Sequence, residues 1–484
     1  MSDLAVLDQL RARPGAGDTI AIVDPVTEQQ IGEFTDGGAE AIDAAVARAR
    51  STFDAGIWRN KPGSEKAKIL WKVAELLEAR AEELAAIDSL NTGMPLPQAT
   101  RNMDAVIEYF RYFSGWCTKI HGVARDIRMS GGLNGYDATI HSYTIKEPVG
   151  VVGLIIPWNG PAFNAAAKLA PSLAAGCSSV LKPAEETPLS ALVFEQVLEQ
   201  AGVPEGVTNL VQGWGHTAGQ RLIEHKDVDK IAFTGSTEVG KKIVAAANGN
   251  LKRVMLELGG KSPSLIYDDA DLDRAIPAAA MGIFMHSGQA CVAGSRVFVQ
   301  RGVYEQVLEG ISAFANRLRF GGPQDGKVHS GPIISERQMN RVLGYIDDGK
   351  SNGAEVIVGG HRLDRPGWFV HPTVLTSVAS DTRVFQEEIF GPVVAVTPFD
   401  EDDEVVALAN DSTYGLAAAV YTRDLSRAHS LAGRLDAGTV SLNCQMMWDA
   451  DVSFGGFKQS GWGYENGELG LDSYLRSKSV WTMV

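Results

Sequence analysis

Short apolar runs alternate with helical stretches from Val149 to about residue 258. The apolar runs are, in order, VGVVGLII, SSVLK, VTNLVQ, KIAFTG and RVMLEL, and the helical stretches between them lie near residues 161–175, 188–201, 217–224 and 237–247. Strands that alternate with helices of this length form a parallel sheet with helices on both faces. The pattern therefore predicts an α/β fold with a doubly wound parallel sheet, in which ligands bind beyond the carboxyl ends of the strands.

A second alternating region runs over about residues 265–454 and predicts a second α/β domain. It contains a helical stretch at 271–284 and the apolar runs SRVFVQ, PVVAVTPF, AAAVYT and GTVSLN. No low-complexity linker separates the two regions, so the pattern places their boundary close after Gly260. Upstream, the apolar spacing predicts one long surface helix over 64–90 and an aromatic-rich, mostly buried helix over 102–116.

The composition is that of an ordinary folded protein. The 484 residues are 45% hydrophobic and 21% charged, which gives no reason to expect disorder or a fibrous repeat. The net charge of -15 repels phosphate backbones and anionic lipids, so we expect neither nucleic acid nor a membrane as a partner. The longest apolar run, Val149 to Trp158, is shorter than the roughly 20 residues that span a bilayer, and no export signal is visible. We therefore expect a cytoplasmic protein.

Four cysteines lie far apart in the chain, at Cys117, Cys177, Cys291 and Cys444, which fits a reducing compartment. The histidines form no H-E-x-x-H motif, so we predict no metal site. Three of the cysteines are interpreted as small buried hydrophobic residues. Cys291 differs, because it lies in MHSGQACVAGSR, after a predicted helix and among small residues, where a substrate could reach it. A free thiol has a pKa near 8.5, so a nucleophilic Cys291 needs local activation.

The first strand-to-helix turns lack the G-x-G-x-x-G fingerprint of a standard dinucleotide site. In the loop FTGSTEVGKK, however, Gly235 follows the strand KIAF, and a helix that begins near Ser236 could bind a pyrophosphate through its free amides. The same loop approaches the pattern of a P-loop nucleotide triphosphatase. That hypothesis fails at Lys242, because a P-loop needs a Ser or Thr hydroxyl there to bind magnesium.

Two polar residues near predicted strand ends are ambiguous on local pattern alone. Glu257 in LELGGKSP ends an apolar strand, where it either caps the local backbone or faces a cavity. Asn159 in PWNG lies beside glycine and proline, which suits an ordinary turn as well as a ligand site. The local pattern does not choose between these interpretations.

Seven motifs, in order along nearly the whole chain, resemble those of the aldehyde dehydrogenase superfamily. They are IIPWN, LKPAE, FTGSTEVG, LELGGKSP, SGQACVAGSR, EEIFGP and SFGGFKQSGWGYENG. The resemblance is to the hydrolytic, acid-forming members, because members that acylate coenzyme A typically lack a glutamate at the position of Glu257. It implies that Cys291 is the nucleophile, that Glu257 is the general base and that the Asn159 side chain helps to bind the oxyanion. It also implies that Lys168 and Glu465 form a proton-exit pair, with a surface salt bridge as the alternative.

The resemblance also implies a nicotinamide dinucleotide site. The implied cofactor-binding residues are Ile155, Trp158, Lys182, Glu185, Gly215, Phe233, Thr234, Gly235, Ser236, Leu258, Gln338, Glu388 and Phe390. Glu185 would accept hydrogen bonds from both hydroxyls of the adenine ribose and would repel a 2′-phosphate, and Glu186 adds a second negative charge. We therefore expect NAD as the cofactor in preference to NADP.

The implied substrate pocket is mostly apolar. Its residues are Gly160, Phe163, Asn164, Ala167, Met285, Ala290, Val292, Met446, Trp448 and Phe454. This composition suits an aromatic or bulky apolar aldehyde, with an aliphatic aldehyde or a semialdehyde as the alternative. A non-catalytic homologue of the same fold is a third, less favoured interpretation. His286 stands where relatives often carry Asn, and we favour a structural hydrogen bond there over contact with substrate.

The resemblance divides the chain into three parts. The implied NAD-binding domain comprises residues 1–120 and 147–258, and the implied catalytic domain comprises residues 259–455. A small β element for oligomerisation would combine residues 121–146 and 456–484. A homodimer or homotetramer follows from the same resemblance.

Overall fold

The computed structural model of the chain describes residue 8 and residues 17–133, 135–323 and 325–483. In this part of the chain the strands are β1 (Thr19–Asp24), β2 (Gln29–Thr35), β3 (Ala124–Leu133), β4 (Tyr136–Pro148), β5 (Val151–Ile155), β6 (Ser178–Lys182), β7 (Thr208–Leu210), β8 (Lys230–Thr234), β9 (Arg253–Glu257), β10 (Pro263–Ile266), β11 (Arg296–Gln300), β12 (Glu355–Val358), β13 (Thr373–Thr376), β14 (Val393–Phe399), β15 (Tyr414–Gly415), β16 (Ala417–Tyr421), β17 (Thr439–Leu442), β18 (Phe457–Lys458), β19 (Gly461–Trp462) and β20 (Leu475–Met483). The α-helices are α1 (Gly38–Asp54), α2 (Gly63–Ala79), α3 (Ala81–Thr92), α4 (Leu96–Trp116), α5 (Pro161–Ala175), α6 (Leu189–Ala201), α7 (Gln220–Glu224), α8 (Thr237–Ala247), α9 (Leu272–Phe284), α10 (Tyr304–Arg317), α11 (Glu336–Ser351), α12 (Arg383–Gln386), α13 (Asp402–Asn410), α14 (Leu425–Arg434) and α15 (Gly467–Asp472). Short 3₁₀ or π turns cover Gly215–Gly219, Met285–Gly288 and Arg301–Val303.

Five parallel strands form the first large sheet, in the spatial order β9, β8, β5, β6 and β7. The short β19 joins the β9 edge in the antiparallel direction. One apolar cluster packs α2 to α6 against one face, and another packs α1, α7 and α8 against the other. Adjacent residues of β5 show the division, because Val151 belongs to the second cluster and Val152 to the first. The predicted doubly wound parallel sheet is confirmed.

The second large sheet has the order β12, β13, β14, β11, β10, β16 and β17, and within it only β12 is antiparallel to its neighbour. Apolar clusters cover its two faces as well. Residues 258–262 connect β9 of the first sheet directly to β10 of the second. The segment that follows Glu257 therefore crosses from one sheet to the other, and the site lies at this crossing.

A third, antiparallel sheet consists of β3, β4 and β20. It carries exposed apolar side chains, among them Tyr143, Ile145, Trp481 and Met483. The short β19 lies within the predicted 456–484 segment but pairs with β9 of the first sheet. The domain boundaries stay a prediction.

The single surface helix predicted over 64–90 is wrong. Helix α2 ends at Ala79 and α3 begins at Ala81, while Arg80 has a non-helical backbone (φ -113°, ψ 15°). The Arg80 guanidinium bonds both carboxylate oxygens of Glu83 across the break, at 2.8 and 2.9 Å. The last turn of α3 is buried rather than exposed. Apolar spacing continues across the break, which is why periodicity alone predicts one helix.

Two other helix starts also differ from the predicted ones. The aromatic helix predicted from residue 102 begins at Leu96, with Pro97 in its first turn, where the missing N–H costs no hydrogen bond. The helix predicted near 217–224 begins as a π turn over Gly215–Gly219 and becomes α-helical only at Gln220. Both differences concern helix ends, where propensity is least informative.

Candidate active site

The loop that carries Cys291 follows α9 and begins with a strained turn. Within Met285–Gly288, His286 and Ser287 have positive φ angles of 50° and 53°, a backbone region that residues with side chains seldom adopt. The Ser287 backbone N–H donates to the Ser330 hydroxyl at 3.1 Å, and the two hydroxyls lie 2.9 Å apart. These bonds hold the turn in place, and Cys291 follows it half-buried.

The Gln289 side-chain amide anchors the same loop through hydrogen bonds at both its nitrogen and its oxygen. Its Nε2 donates to the carbonyls of His286 and Pro332, both at 3.1 Å. Its Oε1 accepts a hydrogen bond from the Ile334 backbone N–H at 2.9 Å. This anchoring role of Gln289 was not predicted, although an uncharged amide within the SGQAC motif was a signal that could have identified it.

Asn159 lies against the Cys291 loop. Its Nδ2 donates to the Gln289 carbonyl at 2.9 Å, two residues before the cysteine. The His286 ring is buried and forms a hydrogen bond with the Asn159 backbone, while burial lowers the pKa of His286 to about 4. The ring is therefore neutral at physiological pH, and its contact with the backbone agrees with the structural interpretation. Within the described residues, His286 Nε2 has no hydrogen-bond partner.

Glu257 ends β9 as a buried carboxyl group, with only 2% of its surface exposed. Neither carboxyl oxygen has a hydrogen-bond partner among the residues that the structure describes. Burial raises the pKa of Glu257 well above its usual value, the negative charge of Glu465 raises it further, and Lys168 opposes the shift. Buried polar groups are nearly always bonded, so an unpartnered carboxyl group at a strand end indicates a functional role.

Lys168 and Glu465 form a buried ion pair next to Glu257. The Lys168 ammonium donates to Glu465 Oε1 and, at 2.8 Å, to the Thr234 hydroxyl. The side chains are 0% and 9% exposed, so the surface salt bridge considered from sequence is wrong. Thr234, predicted to contact the cofactor, here bonds the lysine. The predicted proton-exit role of the pair stays a prediction.

Two glycines after Glu257 bring the acidic groups and the cysteine loop together. The Gly260 N–H donates to Glu388 Oε1 at 3.0 Å. A Cβ atom at Gly260 would lie 2.2 Å from the Cys291 carbonyl oxygen, and one at Gly259 would lie 2.5 Å from Glu388 Oε2. Glycine is required at Gly260 because the Cys291 backbone leaves no room for a side chain, whereas a side chain at Gly259 would displace the Glu388 carboxyl group.

The Cys291 thiol is not activated by the protein alone. Burial, followed by the negative charges of Glu388 and Glu257, raises the pKa of Cys291 to about 12, although backbone N–H groups of Cys291 and Val292 oppose the shift. A thiol with such a pKa is protonated at neutral pH. A positive charge or a proton acceptor must therefore assist its ionisation during a reaction.

The predicted cofactor residues gather at the carboxyl edge of the first sheet. Those at or directly after strand ends are Ile155, Lys182, Phe233, Thr234, Gly235 and Leu258. Ser236 is the N-cap of α8, and its hydroxyl accepts from the Val239 N–H at 3.3 Å. A Cβ at Gly235 would lie 2.5 Å from the Phe233 ring, so the turn into α8 is tight. This capped helix start suits a pyrophosphate.

Lys182 and Glu185 provide a donor and an acceptor side by side. The buried Lys182 ammonium donates to the Pro183 carbonyl at 2.8 Å and lies 3.4 Å from Glu185 Oε2. A Cβ at Gly215 would lie 3.9 Å from Glu185 Oε1, which places this glycine beside the carboxylate. The donor set fits a ribose, whose hydroxyls both donate and accept.

The resemblance places Glu388, Phe390 and Gln338 near the nicotinamide ribose, and these three lie together with Trp158, which it places near the adenine ribose. The rings of Trp158 and Phe390 are in edge contact, with centroids 5.2 Å apart. Gln338 Nε2 donates to the Phe390 carbonyl at 2.9 Å, which fixes a residue whose φ angle is 56°. Burial raises the pKa of the neighbouring Glu388 to about 7. The residues at this end therefore fit a polar ring system between an aromatic wall and a carboxyl group.

Several predicted substrate residues surround an aromatic cluster. Phe163 and Trp448 are in edge contact at 5.4 Å, and both contact Tyr109, at 5.4 and 4.7 Å. Asn164 Nδ2 donates to the Gly160 carbonyl at 2.8 Å and closes the first turn of α5. Tyr109 lies on the helix predicted to be aromatic-rich and mostly buried, and its place beside the predicted pocket was not predicted.

Not every predicted pocket residue joins this cluster. Met285 lines a separate cavity of about 250 Å³ between the start of α4 and the end of α9, with Arg101 and His329. Ala167 is 2% exposed, and Met446 is 39% exposed. Ala290 and Val292 flank Cys291, and Phe454 exchanges two backbone hydrogen bonds with Glu465.

The described part of the chain shows neither a metal-binding cluster nor a bilayer-spanning helix. Among the described ranges, no group of three or more His, Cys, Asp or Glu residues is arranged to hold a metal ion. No helix in the same part of the chain is both long enough and apolar enough to cross a bilayer.

The fold and the site define the chain as a two-sheet α/β enzyme with a cysteine beside a dinucleotide-type sheet. The chain belongs to the aldehyde dehydrogenase family, whose model matches residues 13–480, and it is an oxidoreductase that acts on the aldehyde group. It is 44% identical to human retinal dehydrogenase 2, covering 96% of this chain and 89% of that protein. It is 43% identical to the mitochondrial benzaldehyde dehydrogenase of Antirrhinum majus, covering 96% and 86%. An aldehyde dehydrogenase from Bacillus cereus in complex with NAD+ is 43% identical, with a TM-score of 0.95 over 99% of this chain and 98% of that one.

Proposed function

We propose that the protein uses NAD to oxidise an aromatic or bulky apolar aldehyde to its carboxylic acid, through a thioester on Cys291. The observation that carries this proposal is the unpartnered, buried carboxyl group of Glu257 beside the cysteine loop. Once ionised, a carboxylate with a raised pKa is a stronger base than an exposed one and can accept a proton from water, which hydrolysis of a thioester requires. Members that transfer the acyl group to coenzyme A would not need it.

The first half of the reaction belongs to the Cys291 loop. The Cys291 thiol releases its proton to solvent, the sulfur forms a bond to the aldehyde carbon, and the C=O π bond breaks so that the carbonyl oxygen becomes an alkoxide. The Asn159 amide and the Cys291 backbone N–H donate to this oxygen, and donors aimed at a developing oxyanion are worth about 3–4 kcal/mol each. When bound, NAD supplies the acceptor for the hydride that leaves the carbon, and its oxidised ring supplies a positive charge that favours the thiolate.

The second half of the reaction belongs to Glu257. The carboxylate removes a proton from water, the water oxygen attacks the thioester carbon, and the bond to sulfur breaks to release the acid and the Cys291 thiolate. The thiolate takes the proton of the product acid, which leaves as a carboxylate, and the thiol is restored. Lys168 and Glu465 then take the proton from Glu257 towards solvent. Their direct ion pair and the influence of Glu465 on the pKa of Glu257 support this route.

The substrate class rests on the aromatic walls. Phe163 and Trp448 are in mutual edge contact, and the buried Tyr109 ring packs against both. Aromatic rings favour flat apolar partners. The likeness to a benzaldehyde dehydrogenase and to a retinal dehydrogenase supports the same class. A strong preference for short aliphatic aldehydes would contradict it.

NAD is proposed over NADP because two carboxyl groups lie beside the proposed adenine-ribose site, where they would repel a 2′-phosphate. Glu185 accepts from Lys182, and the half-buried Glu186 follows it with a pKa raised by desolvation and by the Glu185 charge. Arg337 pairs with Glu186 at 3.0 Å and so does not offer a free charge to a phosphate.

A second copy of the chain is proposed to cover the exposed apolar side chains of the third sheet, and sedimentation would measure the resulting dimer or tetramer.

The test combines a substrate panel with one variant. NADH formation is followed at 340 nm with aliphatic, aromatic and terpenoid aldehydes, and with NAD and NADP. Glu257→Gln is expected to give a burst of NADH followed by a stall, since oxidation precedes hydrolysis, with a steady rate lower by about 10²–10⁴-fold. The matched control is Glu199→Gln, at an exposed position on α6. No turnover with any aldehyde would refute the proposal, and undiminished steady turnover of Glu257→Gln would refute its assigned role.

A further inference from the structure

Tyr109 is a buried residue whose hydroxyl joins two parts of the site. It lies on α4 and is 1% exposed. Its hydroxyl accepts a hydrogen bond from Trp448 Nε1 at 2.9 Å and donates one to Asn466 Oδ1 at 2.9 Å. Both partners lie more than 300 residues away in the chain. The hydroxyl therefore connects the wall of the predicted pocket to the segment that follows Glu465.

Packing alone does not require this hydroxyl. Phe110 and Phe113 lie on the same helix with 0% exposure, so α4 packs unsubstituted aromatic rings equally well. Burying a hydroxyl costs free energy unless it is hydrogen-bonded. The Tyr109 hydroxyl offsets that cost through its hydrogen bonds with Trp448 and Asn466, and both partners are side chains of the site region.

The Asn466 end of this connection is held in a specific conformation. Asn466 has a φ angle of 59° and a ψ angle of 167°, a strained combination that is essentially restricted to glycine. Its Nδ2 donates to the Asp449 carbonyl at 3.3 Å, and its Oδ1 accepts from Tyr109. The preceding Glu465 exchanges backbone hydrogen bonds of 2.7 and 2.8 Å with Phe454. The position of the Glu465 carboxylate therefore depends on these contacts.

The Trp448 end forms part of the pocket wall. The Tyr109 and Trp448 rings are 4.7 Å apart at 60°, and Phe163 contacts both. Without the hydrogen bond from its indole N–H, Trp448 would be held by apolar packing against its neighbours. Apolar packing is not directional, so the indole would have more than one orientation open to it.

We propose that Tyr109 is a positioning residue that holds the Trp448 indole against the substrate and the Glu465–Asn466 segment against Lys168. Substrate fit and thioester hydrolysis then depend on one hydroxyl. The inference rests on the proposed function, because it needs Glu465 to assist Glu257 and Trp448 to contact the aldehyde. Tyr109 itself touches neither the aldehyde nor the cofactor in this scheme.

The decisive variant is Tyr109→Phe, which retains the ring and removes the hydroxyl. Loss of one such buried hydrogen bond corresponds to about a 5–10-fold effect. The KM for benzaldehyde is expected to rise by about that factor relative to the KM for acetaldehyde. Decay of the acyl-enzyme, followed by quenched-flow mass spectrometry, is expected to slow by a similar factor, whereas the NADH burst with acetaldehyde changes less than twofold.

The matched control is Tyr112→Phe on the same helix, whose hydroxyl donates to Asp451 Oδ1 at 2.8 Å outside this connection. It should alter neither the KM ratio nor the acyl-enzyme decay. If Tyr109→Phe matches this control in both measurements, the proposal is overturned. A fall in unfolding midpoint without either kinetic change would likewise leave Tyr109 a core residue.

Two further variants separate the arms and serve if Tyr109→Phe fails to fold. Trp448→Phe should change the KM ratio more than the acyl-enzyme decay, and Asn466→Gly, which tolerates the strained backbone of this position, should do the reverse. In the double variant that combines Trp448→Phe and Asn466→Gly, the change in the KM ratio and in the acyl-enzyme decay should differ at least about twofold from the product of the single-variant changes. If the single-variant changes simply multiply, Trp448 and Asn466 are not coupled through Tyr109. Failure of the proposed function is distinguishable, because the wild-type protein would then form no acyl-enzyme on Cys291.

Discussion

Cys177 and Cys291 lie in regions that differ in what surrounds the thiol more than in its pKa. Burial raises the pKa of Cys177 to about 11 and that of Cys291 to about 12. Cys177 is 0% exposed, and its thiol donates to the Tyr474 carbonyl at 3.5 Å. Cys291 is half-buried in a loop whose neighbours include the unpartnered Glu257. A raised pKa therefore does not identify a nucleophile, whereas access and the adjacent groups do.

The largest expected effect is on kcat, and it distinguishes the two cysteines when each thiol is removed in turn. Cys291→Ala should lower kcat by at least about 10⁴-fold, because no other group can form the thioester. Cys177→Ala should retain kcat within about threefold, since its thiol faces the core. Initial rates of NADH formation measure both. Substantial turnover by Cys291→Ala would assign the nucleophile elsewhere.

The next effect tests the polar contacts that distinguish the Cys291 region. Asn159→Ala should lower kcat by about 10²–10³-fold with little change in KM, because the amide contributes mainly where negative charge develops. Asn250→Ala, which removes a surface amide bonded to the Lys226 and Val228 carbonyls, is the control. A rise in KM alone would indicate that Asn159 binds substrate and does not stabilise the oxyanion.

The third effect concerns Glu388 and Glu257, the carboxyl groups whose negative charges raise the pKa of Cys291. Glu388 is the first electrostatic cause, after burial, of the raised pKa of Cys291. Glu388→Gln should therefore lower this pKa, and iodoacetamide should modify the free enzyme about three- to tenfold faster at pH 8, because the thiolate is the reactive form. The wild-type rate should rise with pH without a plateau below about pH 10. Glu387→Gln, whose carboxylate pairs with Arg383, should change the rate little, and a slower reaction in Glu388→Gln would reverse the assigned sign.

The difference between the two cysteines also shows what could be predicted from sequence. Strand alternation predicts the first sheet, because each βα unit carries its own apolar pattern. Cys291, Glu257 and Asn159 were identified through the family resemblance, since each alone suits an ordinary turn or core. The break at Arg80 was missed because the apolar spacing continues across it, and the amide in SGQAC was a signal for Gln289 that was not used. The role of Tyr109 could not be predicted, because it depends on contacts between segments far apart in the chain. Tyr109 and Asn466, for example, are 357 positions apart.

The smallest expected effect is on stability, and here the variant at Cys177 should have the larger effect and the variant at Cys291 the smaller one. Cys177→Ala leaves unfilled space where no surface is exposed, so the free energy of unfolding should fall by about 1–2 kcal/mol, as for removal of one or two methyl groups in a core. Cys291→Ala should cost less than half as much, because its loop is half-buried and the Gln289 amide holds it independently of the thiol. Urea unfolding followed by tryptophan fluorescence measures both, with Cys444→Ala at another half-buried position as the control. Equal destabilisation by the two variants would show that the Cys291 thiol is itself part of the packing. The distinction between a structural and a reactive thiol would then depend on chemistry alone.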